Sequence, residues 1–72
     1  MTDNEQFLKD LGKRVRAERK KQGITQAGLA YGAGLSESHI RNIEKGMANV
    51  TILNVRGLAS ELGYSLRDFL DF

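Results

Sequence analysis

The 72-residue chain has no cysteine, no proline and no tryptophan, and His39 is its single histidine. Without cysteine no disulfide can staple the fold, and the redox state of its compartment has no bearing on folding. One histidine and no thiol are too few ligands for a zinc site, so neither a metal nor a cofactor is expected. The same shortage, with no recognisable constellation of carboxylates, speaks against an enzyme. No apolar run is long enough to span a bilayer, and the N-terminus lacks a signal-peptide profile. These absences predict a soluble, cytoplasmic protein with no membrane partner. Nothing alternates in the manner of a strand, and no stretch reads as a linker or a low-complexity segment.

What remains is dominated by helix formers. The length allows one domain, residues 1–72, with a small core, and such domains often gain stability by oligomerising. The net charge of +2 is unevenly placed: residues 1–8 carry −2, residues 9–45 carry +5 and residues 46–72 carry −1. A contiguous basic region of this kind suits either a solvated helix face or nucleic acid.

Glycines punctuate the sequence. Gly23, Gly34, Gly46 and Gly63 fall where helices should stop, and Thr25, Ser36, Thr51 and Ser65 follow as N-caps. The pattern predicts five helices, over 4–22, 26–32, 37–45, 52–62 and 66–71. The first carries Leu8, Leu11 and Val15 at helical spacing, extended by Phe7, with Lys13, Arg14, Arg16, Arg19, Lys20 and Lys21 on its other faces. That basic run suits the helix dipole, and one or two of its members are expected to touch phosphate. The fourth is expected to bury Ile52, Val55, Leu58, Ala59 and Leu62. Ser65 with Asp68 has the spacing of a capping box ahead of Leu66, Phe69 and Leu70. Gly28, Gly32 and Gly57 fall inside expected helices, at about 1 kcal/mol each relative to alanine.

The stretch from Gln26 to Lys45 has the layout of a helix-turn-helix. Ala30 is the small residue where two helices meet, Gly34 tolerates a left-handed turn, and Leu29, Leu35, Ile40 and Ile43 supply the inner face. In these residues, and in the segments LGKRVRAERKKQGITQAGLAYGAGLS, IRNIEKG and LASELGYSLRDFL, the chain resembles the Cro/C1-type (XRE) helix-turn-helix regulators. The resemblance implies an all-α, compact, five-helix lambda-repressor-like DNA-binding domain whose second and third helices are the helix-turn-helix. The segment Asn49-Val50-Thr51 is similar to restriction–modification controller proteins, small dimeric members of that family. Gly28 departs from the charged residue common after Ala27, and Val50 stands where the family often has proline.

The resemblance also implies roles. Glu37, Ser38, Arg41 and Asn42 lie opposite Ile40 and Ile43 and are the expected base readers. Arg41 suits guanine and Asn42 suits adenine. Glu37 either accepts from a cytosine amine or only complements the helix N-terminus. His39 has three readings: a base, a phosphate or the edge of the core. Gln26 is expected at a phosphate beside the free N–H groups of its helix, with Thr25, Ser36, Lys45, Asn49 and Thr51 as further phosphate contacts. Arg19 and Glu44 are implied to form a structural ion pair, with other Arg19 donors free for a phosphate.

The C-terminus is apolar to its last residue. Tyr64, Leu66, Phe69, Leu70 and Phe72 are the expected dimer interface, with the alternative that Phe72 folds back onto Phe7. The expected function is that of a sequence-specific transcriptional regulator, a homodimer on a near-palindromic operator in double-stranded DNA, with RNA polymerase as a further partner. The alternatives are a phage-type repressor or an antitoxin, the latter disfavoured because the chain ends close to its fifth helix.

Overall fold

The computed structural model describes residues 3–72. Its helices are α1 (Asp3–Lys21), α2 (Gln26–Ala33), α3 (Glu37–Glu44), α4 (Ile52–Glu61) and α5 (Leu66–Phe69), with no strand among the described residues. The fifth helix is a single turn that stops at Phe69, shorter than the expected 66–71. The first four helices stop where a glycine takes positive φ: Gly23, Gly34, Gly46 and Gly63 all fall between 72° and 86°. Thr25, Ser36, Thr51 and Ser65 each accept a hydrogen bond from the backbone N–H three residues on, which satisfies a donor left free in the first helical turn. The reciprocal bond of a capping box forms at Thr51, whose N–H donates to the Asn54 side chain at 3.2 Å, rather than at Ser65 and Asp68.

Leu11, Val15, Leu29, Ile40, Ile43, Val55, Leu58, Leu62 and Phe69 converge on one core, together with Ala30 and Ala59. Burying each of the larger side chains is worth about 1.5–3 kcal/mol, so every helix is held by the apolar face it contributes. Packing runs α1 on α3, α3 on α2, α2 on α4 and α4 on α5. Two expected core positions are corrected. Ile52 is 62% exposed, while Val50, just ahead of the Thr51 cap, is partly buried and packs against the core. Phe7 lies outside the core on the first turns of α1, with its ring 5.7 Å from that of Phe72.

Gly12 was not singled out by the sequence, yet it sets the distance between α1 and α3. A Cβ there would meet the carbonyl oxygens of Ile43 and Glu44, the latter at 2.8 Å. Only a residue without a side chain lets α1 rest directly on the C-terminal end of α3.

At the opposite edge a polar cluster fastens α5 to α1. The Tyr64 hydroxyl donates to buried Glu18 at 2.8 Å, and Arg14 donates to Glu18 and to the Phe69 carbonyl. The Arg14 guanidinium also lies over the Tyr64 and Phe69 rings, 4.9 and 5.4 Å from their centroids. Donation to Glu18 is the main reason the Tyr64 phenol is held above its ordinary pKa, with burial adding to it.

Candidate nucleic-acid interface

The helix-turn-helix is built by α2, the turn at Gly34 and α3. Gly34 sits in the left-handed region at φ 72°, ψ 30°, and Leu35 donates back to the Ala30 carbonyl at 2.9 Å. This closes the last turn of α2 and redirects the chain within two residues. Leu29 and Ala30 face inward from α2, and Ile40 and Ile43 from α3. With these two isoleucines inside, the 3.6-residue period turns Glu37, Ser38, Arg41 and Asn42 outward, and all four are exposed. His39 is half-buried at the margin between the two faces.

A groove runs between α1, α2 and α3. Arg16 and Lys20 line it from α1, Gln26 from α2, Glu37 and Arg41 from α3, and Lys45 from the C-cap of α3. The packing has sorted the basic run of α1. Arg14 faces α5, Arg19 is buried, and Arg16 and Lys20 reach the groove. The α2 N-terminus opens on the same groove, so its free N–H groups and positive dipole end add to the cationic side chains.

Arg19 and Glu44 anchor the groove from beneath. The guanidinium donates from Nε and Nη2 to the two carboxylate oxygens at 2.6 and 3.0 Å, and from Nη1 to the Ile24 carbonyl at 2.9 Å. The two side chains are only 11% and 5% exposed. Hydrogen bonding to Glu44 is the largest influence holding the Arg19 pKa above its ordinary value, against the opposing effect of burial. Its Nη1 is engaged by the Ile24 carbonyl, just ahead of the α2 cap, which leaves one N–H on each Nη for the expected phosphate contact at the groove that Arg19 lines. The same carboxylate reaches a third partner, accepting from Gln26 Nε2 at 3.1 Å. One side chain therefore ties the ends of α1, α2 and α3 together and orients Gln26, leaving its amide one free N–H.

The remaining candidates lie around the rim. Thr25, Ser36 and Thr51 are exposed caps; each hydroxyl oxygen is taken as an acceptor, but its own proton can still be donated. Lys45 and Asn49 are exposed on either side of the turn that follows α3. Glu37 has a partner that neither sequence reading included: its carboxylate lies 3.5 Å from Arg41 Nη1, one helical turn away. The i, i+4 spacing was the available signal.

The C-terminal apolar residues divide. Phe69 is fully buried in its own core and offers nothing to a second chain, which corrects its expected place in a dimer interface. Tyr64 is engaged by Glu18, and Phe72 lies against Phe7, as the fold-back alternative had it. Leu66 and Leu70 are half-buried at the core margin. The larger exposed apolar side chains include Ile52, Leu53, Met47 and Tyr31. No helix of the described residues is long and apolar enough to cross a membrane.

Comparison with known proteins bears on this geometry. The helix-turn-helix family profile HTH_3 matches residues 15–69, from the middle of α1 through α5. The chain is 36% identical over 73 aligned positions to the control protein C.BamHI of Bacillus amyloliquefaciens, covering all of this chain and 88% of that one. The crystal structure of the restriction–modification controller protein C.AhdI from Aeromonas hydrophila superposes with a TM-score of 0.82 at 34% identity, covering 86% of this chain and 94% of that one. A substitution variant of the controller protein C.Esp1396I gives a TM-score of 0.83 at 28% identity, covering 90% and 82% respectively. The chain belongs to the HTH_3 family of Cro/C1-type helix-turn-helix proteins, which are DNA-binding transcriptional regulators and not enzymes.

Proposed function

We propose that this chain is a single-domain, cytoplasmic controller protein of the restriction–modification type, binding a near-palindromic operator as a homodimer. The observation that carries the reading is the outward face of α3. Ser38, Arg41 and Asn42 stand exposed opposite buried Ile40 and Ile43, above a groove lined with cations. In this reading α3 enters the major groove, Arg41 and Asn42 take the bidentate base contacts, and Ser38 bonds a base or a phosphate. His39, half-buried, reaches a base only from the margin. Gln26, Lys45, Asn49 and the caps Thr25, Ser36 and Thr51 contact phosphates, which set register without reading sequence. Arg16 and Lys20 join them from α1.

The likeness to C.BamHI and C.AhdI supports the controller assignment. The dimer is supported by the apolar side chains left uncovered on α4, Ile52 at 62% and Leu53 at 71% exposure, and by half-buried Leu66 and Leu70. A two-fold dimer would set two copies of α3 in successive major grooves, about 34 Å apart. RNA polymerase is the further partner of a regulator that both activates and represses. Selection of bound duplexes from a random pool tests the whole reading. Two inverted half-sites about one helical turn apart are expected. Enrichment of one isolated half-site would remove the dimer, and no enrichment, with an affinity indifferent to salt, would remove sequence-specific DNA binding.

A further inference from the structure

The face of α4 that leaves Ile52 and Leu53 uncovered is not wholly apolar. By the helical period Arg56 falls between the lines of these two side chains, opposite buried Leu58, and it is exposed. Among the described residues Arg56 forms no ion pair. A second copy seated on Ile52 and Leu53 would enclose this guanidinium, and a charge enclosed without a partner opposes association. The C-terminal residues hold the matching chemistry. Arg67, Asp68, Leu70 and Asp71 line a hollow of about 430 Å³, in which two carboxylates outweigh one guanidinium. Asp68 and Asp71 are exposed, and among the described residues neither carboxylate is in an ion pair. Other acidic side chains are committed elsewhere: Glu18 and Glu44 in their buried clusters, Glu37 beside Arg41, Asp10 to Gln6, and Glu61 against Gly32 of α2. The hollow and the α4 face also lie toward one end of the molecule. Phe72 lies 5.7 Å from Phe7, and Phe7 shares a second hollow with Asn49 and Val50, at the foot of α4.

We propose that Arg56 of one copy seats in the Asp68–Asp71 hollow of a second copy, and that this reciprocal pair fixes the register of the dimer. The proposal rests on the homodimer argued above and names the groups that orient it. A two-fold contact is self-complementary: whatever one copy's Arg56 touches on its partner, the partner's Arg56 touches in return. Packing α4 on α4 with Arg56 at the axis would set two guanidinium groups against each other. Seating each one beside the other copy's carboxylates removes that repulsion and displaces the axis toward Ile52 and Leu53, where the apolar side chains meet. Apolar contact alone leaves the register of two short helices loosely set. The charges narrow it, because a slip that breaks one pair breaks its symmetry mate and leaves four groups unpaired. The same requirement rejects a partner with an apolar face but no carboxylates in this place.

The test is a charge exchange read by sedimentation equilibrium of the full chain. One variant carries Arg56→Glu, the other Asp68→Lys with Asp71→Lys, and thermal unfolding shows that each is folded. If the aspartate pair variant does not fold, Asp71→Lys alone takes its place. Each variant by itself faces like charges across the two-fold. Its dimer dissociation constant is expected to rise at least about a hundredfold, as for charge pairs broken in a desolvated contact. An equimolar mixture of the two should recover a dimer, because in the mixed pair every altered side chain faces an opposite charge. A mass tag on one variant identifies that dimer as mixed. Wild-type association in either variant alone, or a mixture in which both chains stay monomeric, would overturn the proposal. So would a recovered dimer that contains only one of the two variants. A wild-type chain that is monomeric at every concentration would instead remove the homodimer on which the proposal depends.

Discussion

Four side chains around the groove should behave differently, and the differences follow from what each one can contact. Arg41→Ala removes a bidentate donor and should cost about 1–3 kcal/mol on the operator while relaxing preference at one base pair. Gln26→Ala and Lys20→Ala should both weaken all duplexes alike. Only the lysine variant should lower the salt slope, by about one, because only it releases a counterion on binding. A titration of each variant on two duplexes at several salt concentrations separates the three behaviours. Glu44 is a different case. Arg19 is buried and Gln26 half-buried, so Glu44→Ala leaves the Arg19 charge unpaired and Gln26 unheld. Urea unfolding should register a loss of about 3–5 kcal/mol, most of the stability of so small a domain. A variant as stable as wild type would show that the pair contributes little to the fold.

At the scale of elements, the placement of α3 depends on what lies behind it. α1 reaches the C-terminal end of α3 at Gly12, where backbone carbonyls occupy the space a methyl group would need. Backbone yields less readily than a side chain, so Gly12→Ala should push the helices apart. The expected loss is about 1–3 kcal/mol in chemical denaturation, in the range of other overpacked sites. Affinity for DNA should fall as well, since Arg16 and Lys20 ride on the displaced helix. Destabilisation without any change in binding by the folded fraction would show that the groove does not depend on this contact. Much of the element layout was legible beforehand. Glycines at the stops and hydroxyl residues at the starts are local signals, and the structure uses each of them locally. The first turn of α4 was misread because periodicity places Ile52 on the stripe of Val55 and Leu58. It carries no information on which end of that stripe a neighbouring helix covers.

For the whole molecule, the proposed dimer is tested on the apolar side chains that the monomer leaves exposed. Phe69 is a core residue, and its truncation would unfold the chain before reporting on association. Ile52→Ser with Leu53→Ser alters side chains that the monomer leaves exposed. Sedimentation should show a dimer for the wild type and a monomer for this variant at matched concentration, with thermal unfolding showing that the variant is folded. A dimer that persists would place the interface elsewhere. The Tyr64–Glu18 bond also predicts a pH dependence of stability on the alkaline side. The folded phenol has a raised pKa, so its contribution is complete below the unfolded value of about 10 and is lost as pH rises through the folded value. The unfolding temperature of the wild type should therefore decline above about pH 10 more steeply than that of Tyr64→Phe. Parallel declines would mean that the bond contributes nothing to stability.

The sequence by itself determined the helices, their caps, the turn at Gly34 and the outward face of α3, because each depends on residues a few positions apart. The pairing of Arg19 with Glu44 was implied only by resemblance. The tertiary structure decided the rest. It turned Arg14 toward α5 and Arg16 and Lys20 toward the groove, although all three belong to one basic run. It drew Gln26 onto Glu44 across 18 residues of sequence, sank Phe69 and exposed Ile52. Those outcomes depend on which helix face meets which neighbour, and on space as limited as that beside Gly12. Local spacing encodes the faces of a helix; only the packed molecule assigns them partners.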